Sequence, residues 1–137
     1  MTAAAVTVDT ASTFKSRGYF KRLVAATSYS FSGLAAALRH EASFRFEVML
    51  GLLLMPVAAW LAPTPFQALA LVGAIVFVWL VELVNSAIET LADAVTLERH
   101  PLIGRAKDIG SAAVLLSLVL AAGVWLAVLW PVFTGRH

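Results

Sequence analysis

Residues 48–66 and 109–135 contain no charged side chain at all, and residues 66–94 contain only three. A helix needs about 20 mostly apolar residues to cross the hydrocarbon core of a bilayer, and each of these stretches is long enough. Three transmembrane spans are therefore predicted. A composition of 61% hydrophobic and 13% charged residues, with a mean hydropathy of +0.87, lies far from the soluble average and supports that reading. The fold class expected is an all-α membrane protein, a single domain of 137 residues with three spanning helices.

The middle stretch carries its few charges in a pattern. Glu82, Asn85, Glu89 and Asp93 are spaced by three, four and four, so on a helix they form one polar stripe that faces a single neighbour. An ionised group at mid-helix costs roughly 2.5–3.5 kcal/mol to insert, which marks these residues as a site. The stripe runs from the depth of the span at Glu82 towards a polar loop holding Glu98, Arg99, His100, Arg105, Lys107 and Asp108. Such a funnel from water into lipid suits a reaction between a soluble substrate and a lipid headgroup. Two bland readings compete: a hydrogen-bonded set that pins a bundle, and an ion or proton path. Two glutamates are a costly way to pin helices, and the basic Arg22, Arg105 and Lys107 at the same surface favour a phosphate-bearing ligand over conduction.

Basic residues set the orientation. Lys15, Arg17, Lys21, Arg22, Arg39 and Arg45 precede the first span, and Arg99, Arg105 and Lys107 separate the second from the third, whereas the turn at Pro63 has none. The positive-inside rule then puts the N-terminus in the cytoplasm and the C-terminus outside. Trp60 and Trp130, at the outer ends of the first and third spans, fit an interfacial aromatic belt. Cysteine is absent, which excludes disulfides and thiol chemistry. No nucleic-acid motif accompanies the basic residues, and nucleic acid is not an expected partner.

Residues 1–18 are expected to be a disordered tail, since Met1–Thr13 lack the features of a signal peptide. From Tyr19 to Leu38 the apolar Phe20, Leu23, Val24, Phe31, Leu34 and Leu38 recur at helical spacing against Lys21, Arg22 and Arg39, which predicts an amphipathic helix lying in the membrane interface. With a second polar helical segment, Arg39 to Glu47, that leads into the first span, the surface segment is expected over 19–47. Glu41 and Arg45 are four apart and read, on spacing alone, as a surface ion pair. The spanning domain is expected over 48–133, and 134–137 form a tail. Ala113, Ser117 and Ala121 make a seam of small residues on the third span that would admit another helix, so a homo-oligomer is expected.

Three blocks carry a resemblance. Residues 82–93 run Glu-Leu-Val-Asn-Ser-Ala-Ile-Glu-Thr-Leu-Ala-Asp, residues 104–114 run Gly-Arg-Ala-Lys-Asp-Ile-Gly-Ser-Ala-Ala-Val, and residues 40–47 run His-Glu-Ala-Ser-Phe-Arg-Phe-Glu. In that order they resemble the prokaryotic diacylglycerol kinase family, from about Tyr19 to Phe133. The resemblance implies a small kinase of the bacterial inner membrane, a homotrimer whose active sites are shared between subunits. It would use Mg²⁺ and ATP to phosphorylate diacylglycerol to phosphatidic acid. By motif position Glu82 would be the general base, and Glu41 and Glu89 the metal ligands. Arg22, Tyr29, Glu98, Arg99, His100, Lys107 and Asp108 would contact nucleotide, together with the two metal-binding glutamates. Arg22, Asn85 and Ser111, with Glu82, would contact the lipid substrate, and Asp93, Arg45 and Glu47 would support the site.

Those roles make physical sense. Phosphoryl transfer is mainly positioning and charge stabilisation, so carboxylates for a metal plus a lysine suffice without a glycine-rich phosphate loop, and none is present. Mg²⁺ commonly takes one or two carboxylates and completes its shell with phosphates. Related readings are an undecaprenol kinase, with the same chemistry on a polyprenyl alcohol, and a non-enzymatic conducting or scaffolding oligomer.

Overall fold

The computed structural model describes residues 9–135. It contains four helices and no strand among those residues: α1 (Asp9–His40), α2 (Ala42–Leu61), α3 (Pro65–Val95) and α4 (Pro101–Thr134). The chain divides into two compact units, Met1–Ala36 and Ala37–His137. In the first unit α1 carries Arg22 and Tyr29, both exposed, and Ser30 Oγ donates back to the Ala26 carbonyl at 2.9 Å. The expected tail over 1–18 lies outside the described residues as far as residue 8, and Asp9 onward is helical. The C-terminal tail beyond Gly135 also lies outside them.

In the second unit α2, α3 and α4 are each long and apolar enough to cross a membrane. Their ends follow from local chemistry. Thr64 caps α3 by accepting from the Gln67 amide at 3.3 Å, and Pro65 takes the first helical position, where no N–H is needed. His100 caps α4 through Nδ1, which accepts from the Leu102 amide at 3.3 Å, with Pro101 next. Gly135 ends α4 in the left-handed conformation that glycine adopts without a Cβ penalty.

Two boundaries are sharper in the structure. The break before the first span falls at Glu41, so most of the polar segment expected to lead into that span, residues 42–47, begins α2. The polar loop is also shorter than predicted: Arg105, Lys107 and Asp108 lie on the first turns of α4, because the helix starts at the favourable His100–Pro101 pair.

Helix α3 is central and packs against both α2 and α4. The core is small: Leu71, Ala58 and Phe44 are fully or almost fully buried, with Ile75 and Val78 around them. Leu52, Leu53, Leu115, Leu116 and Val119 instead point outward. So large an exposed apolar surface would be a liability in water and is ordinary against lipid.

Candidate active site

The first turns of α2, the middle of α3 and the first half of α4 enclose a cleft of about 250 Å³. Helix α3 contributes Glu82, Asn85, Ser86 and Glu89, the α2 end contributes Glu41, Ser43 and Glu47, and α4 contributes Ser111. Glu82 and Asn85 are buried, at 5% and 7% exposure, and Glu89 is half-buried nearer the mouth. Asn85 Nδ2 donates to Glu89 Oε1 at 3.0 Å, which fixes the amide and one carboxylate oxygen.

Gly110 sets how closely α4 approaches. A Cβ there would collide with Asn85 Oδ1, so a larger residue would have to displace the Asn85 amide. Gly110→Ala is therefore expected to displace the Asn85 amide and weaken its bond to Glu89. Overpacking of this kind costs about 1–3 kcal/mol. A lowered thermal midpoint in detergent together with reduced activity would show it, and wild-type values of both would disprove the contact's importance.

Four carboxylates, those of Glu41, Glu47, Glu82 and Glu89, share a lining with no basic side chain. Glu47 Oε2, Asn85 Oδ1 and Ser86 Oγ are buried there without a hydrogen-bond partner in the chain. Among the described residues no three histidines or carboxylates form a ready-made metal cage. The carboxylates of Glu41 and Glu89, both in this lining, are oxygen donors of the kind Mg²⁺ takes, since that ion retains phosphate and water ligands rather than demanding an all-protein shell.

A second depression, of about 450 Å³, opens at the α3–α4 loop and is lined by Asp93, Glu98, Arg99, His100 and Lys107 among others. Lys107 Nζ pairs with Asp93 Oδ1 at 2.6 Å. Thr96 Oγ1 holds the loop by accepting from the Glu98 amide at 3.0 Å.

The predicted stripe therefore divides. Glu82, Asn85 and Glu89 line the acidic cleft, while Asp93, one turn closer to the loop, faces Lys107 in the second depression. Ser111 joins the cleft, whereas Asp108 is exposed and belongs to neither lining. Arg22 and Tyr29 belong to the first unit. The ion pair expected between Glu41 and Arg45 is not formed. Arg45 Nη1 donates instead to the Arg39 carbonyl at 2.9 Å, because the last carbonyls of α1 lack helical partners.

Sequence reasoning missed Ser43, Ser86 and the contact role of Gly110. Ser86 was detectable as the neighbour of Asn85 in a polar stripe. Gly110 carried no signal, since its importance depends on how near α4 comes.

Comparison with known proteins adds a family. Residues 28–129 match the family model described as prokaryotic diacylglycerol kinase. The chain is 42% identical over 114 residues to a protein from Escherichia coli named diacylglycerol kinase, covering 83% of this chain and 93% of that protein. The Pseudomonas aeruginosa protein of the same name is 42% identical over 118 residues, covering 86% and 96%. One from Helicobacter pylori is 39% identical over 111 residues, covering 81% and 86%.

Proposed function

The chain belongs to the prokaryotic diacylglycerol kinase family and works as a diacylglycerol kinase, and from that premise we propose that the acidic cleft is where ATP γ-phosphate meets the lipid hydroxyl. The observation that carries this reading is the ordering of groups along α3: a buried Glu82 deep in the span, Glu89 nearer the mouth, and Lys107 and Arg99 in the depression beyond. A lipid hydroxyl approaches from the membrane side and a nucleotide from the loop side.

In this mechanism Glu82 accepts the proton of the attacking hydroxyl. Its burial keeps competing water away from the carboxylate. Glu41 and Glu89 would hold Mg²⁺, which supplies charge neutralisation for the transferring phosphoryl group. The bond from Asn85 to Glu89 orients one of those ligands, as an outer-shell partner does. Lys107, Arg99, Glu98 and His100 form the nucleotide side, and Asp108, Arg22 and Tyr29 are proposed as further nucleotide contacts. Ser111 and Asn85 bound the substrate end, and Asp93 keeps Lys107 placed through their ion pair.

The reading extends to the assembly. The protein is proposed to sit in the bacterial inner membrane with its N-terminus cytoplasmic, as the distribution of basic residues supports, and to form a homotrimer with sites shared between subunits. Helix α4 buries little beyond Gly110 and Ser117 within its own chain, which supports further helix packing. Mixing Glu82→Gln with Arg22→Ala subunits should restore part of the activity if one site draws on two subunits. Inactivity at every mixing ratio would argue against sharing.

The decisive test is transfer of labelled γ-phosphate by purified protein to diacylglycerol and to undecaprenol, in parallel mixed micelles with Mg²⁺. Label chiefly on diacylglycerol is expected. Label chiefly on undecaprenol would preserve the site and change the substrate, and label on neither, from folded protein that does not bind ATP, would overturn the reading.

A further inference from the structure

A third cavity, of about 210 Å³, adjoins the acidic cleft, and Glu47 is the one residue common to both linings. Beyond Glu47 its wall carries no ionisable group: Gly51 comes from α2, Val78 and Trp79 from α3, and Ala121 and Trp125 from α4. On all three helices the cavity follows the cleft away from the α3–α4 loop. Cleft residues Glu82–Glu89 give way to Ile75–Trp79 on α3, and Ser111 and Val114 give way to Leu118–Trp125 on α4. The seven residues from Glu82 back to Ile75 correspond to about 10 Å along the helix axis.

Trp79 is held firmly in this wall. Its indole Nε1 donates to the Glu47 backbone carbonyl at 3.0 Å, and its ring lies over Gly51, where a Cβ would come within 2.5 Å of Cζ2. The same contact ties the backbone of Glu47, a cleft residue, to the wall of the apolar cavity.

We propose that this cavity receives the first methylenes of one acyl chain of the lipid substrate, with the pinned Trp79 ring setting the width of chain admitted. The inference rests on the acidic cleft being the phosphate-transfer site. A lipid whose hydroxyl reaches Glu82 must send its chains deeper into the bilayer, and this cavity opens in that direction. A chain leaving lipid for an apolar wall gains little from the hydrophobic effect, so discrimination comes from packing and shape. Trp79 is thus a specificity-determining residue and takes no part in the chemistry.

The test compares dioleoylglycerol with a diacylglycerol bearing a methyl branch near each acyl carbonyl, using the full chain in mixed micelles. Wild type is expected to favour the straight chains. Trp79→Phe, which thins the wall, should raise the branched-to-straight ratio of kcat/KM at least about fivefold with KM for Mg-ATP unchanged. Ala121→Phe, which fills the cavity, should lower kcat/KM for both lipids at least about tenfold, again sparing KM for Mg-ATP. A ratio unchanged in folded Trp79→Phe overturns the proposal, and this variant decides the matter if Ala121→Phe does not fold. Altered oligomer mass in Ala121→Phe with wild-type lipid kinetics would overturn it too, by assigning the cavity to a helix of a second copy. A wild-type protein inactive on both lipids would instead refute the underlying assignment of the cleft.

Discussion

Glu82→Gln is expected to lower kcat by about 10²–10⁴-fold, the usual contribution of a general base, while leaving Mg-ATP affinity near the wild-type value. Glutamine matches glutamate in size and keeps an oxygen acceptor, so the packing around this buried position should hold. What disappears is the capacity to take a proton from the lipid hydroxyl. Single-turnover transfer from ATP and nucleotide titration separate the two effects, because loss confined to the chemical step marks a base. A marked loss of nucleotide affinity would show that Glu82 holds the metal instead. Retained turnover would move the base elsewhere in the cleft, where Glu47 also presents a buried oxygen without a partner.

Glu89→Gln should act on the other half of the reaction. Removing a charged ligand is expected to raise KM for Mg-ATP by about 10–100-fold or more, at least the cost of losing an outer-shell partner. The substitution also replaces the acceptor of the 3.0 Å bond from Asn85 with an amide, so Asn85 keeps a polar neighbour of similar shape. A Mg²⁺ titration at fixed ATP is the informative measurement. Partial recovery at high Mg²⁺ is expected for a weakened ligand, and wild-type dependence on Mg²⁺ would contradict the assignment. The contrast with Glu82→Gln is the useful result: one variant binds without reacting and the other binds poorly.

How much was legible in the sequence varies with the kind of residue. Glu82, Asn85 and Glu89 were readable because helical periodicity alone puts them on one face, and lipid makes polar groups on a span conspicuous. Glu41 was harder. Its spacing to Arg45 suggested a local pair, but the chain turns at Glu41, and Arg45 bonds to the end of α1 instead. Asp93 shares the stripe yet leaves the cleft, since Lys107 reaches it from the start of α4. Trp79 and Gly51 were invisible as a pair because 28 positions separate them and only helix packing brings the ring over the glycine.

The membrane as solvent, the number of apolar helices long enough to span it and the face on which polar groups gather could all be read along the chain. Those properties depend on composition and on periodicity within single helices, which any segment carries locally. Which carboxylates meet across helices, the close approach of Gly110 to Asn85, and the place of Glu47 between a polar cleft and an apolar cavity emerge with the packing of the helices. These are distances between segments far apart in the chain. They are fixed by how side chains of particular size let three helices approach, and no local pattern encodes that.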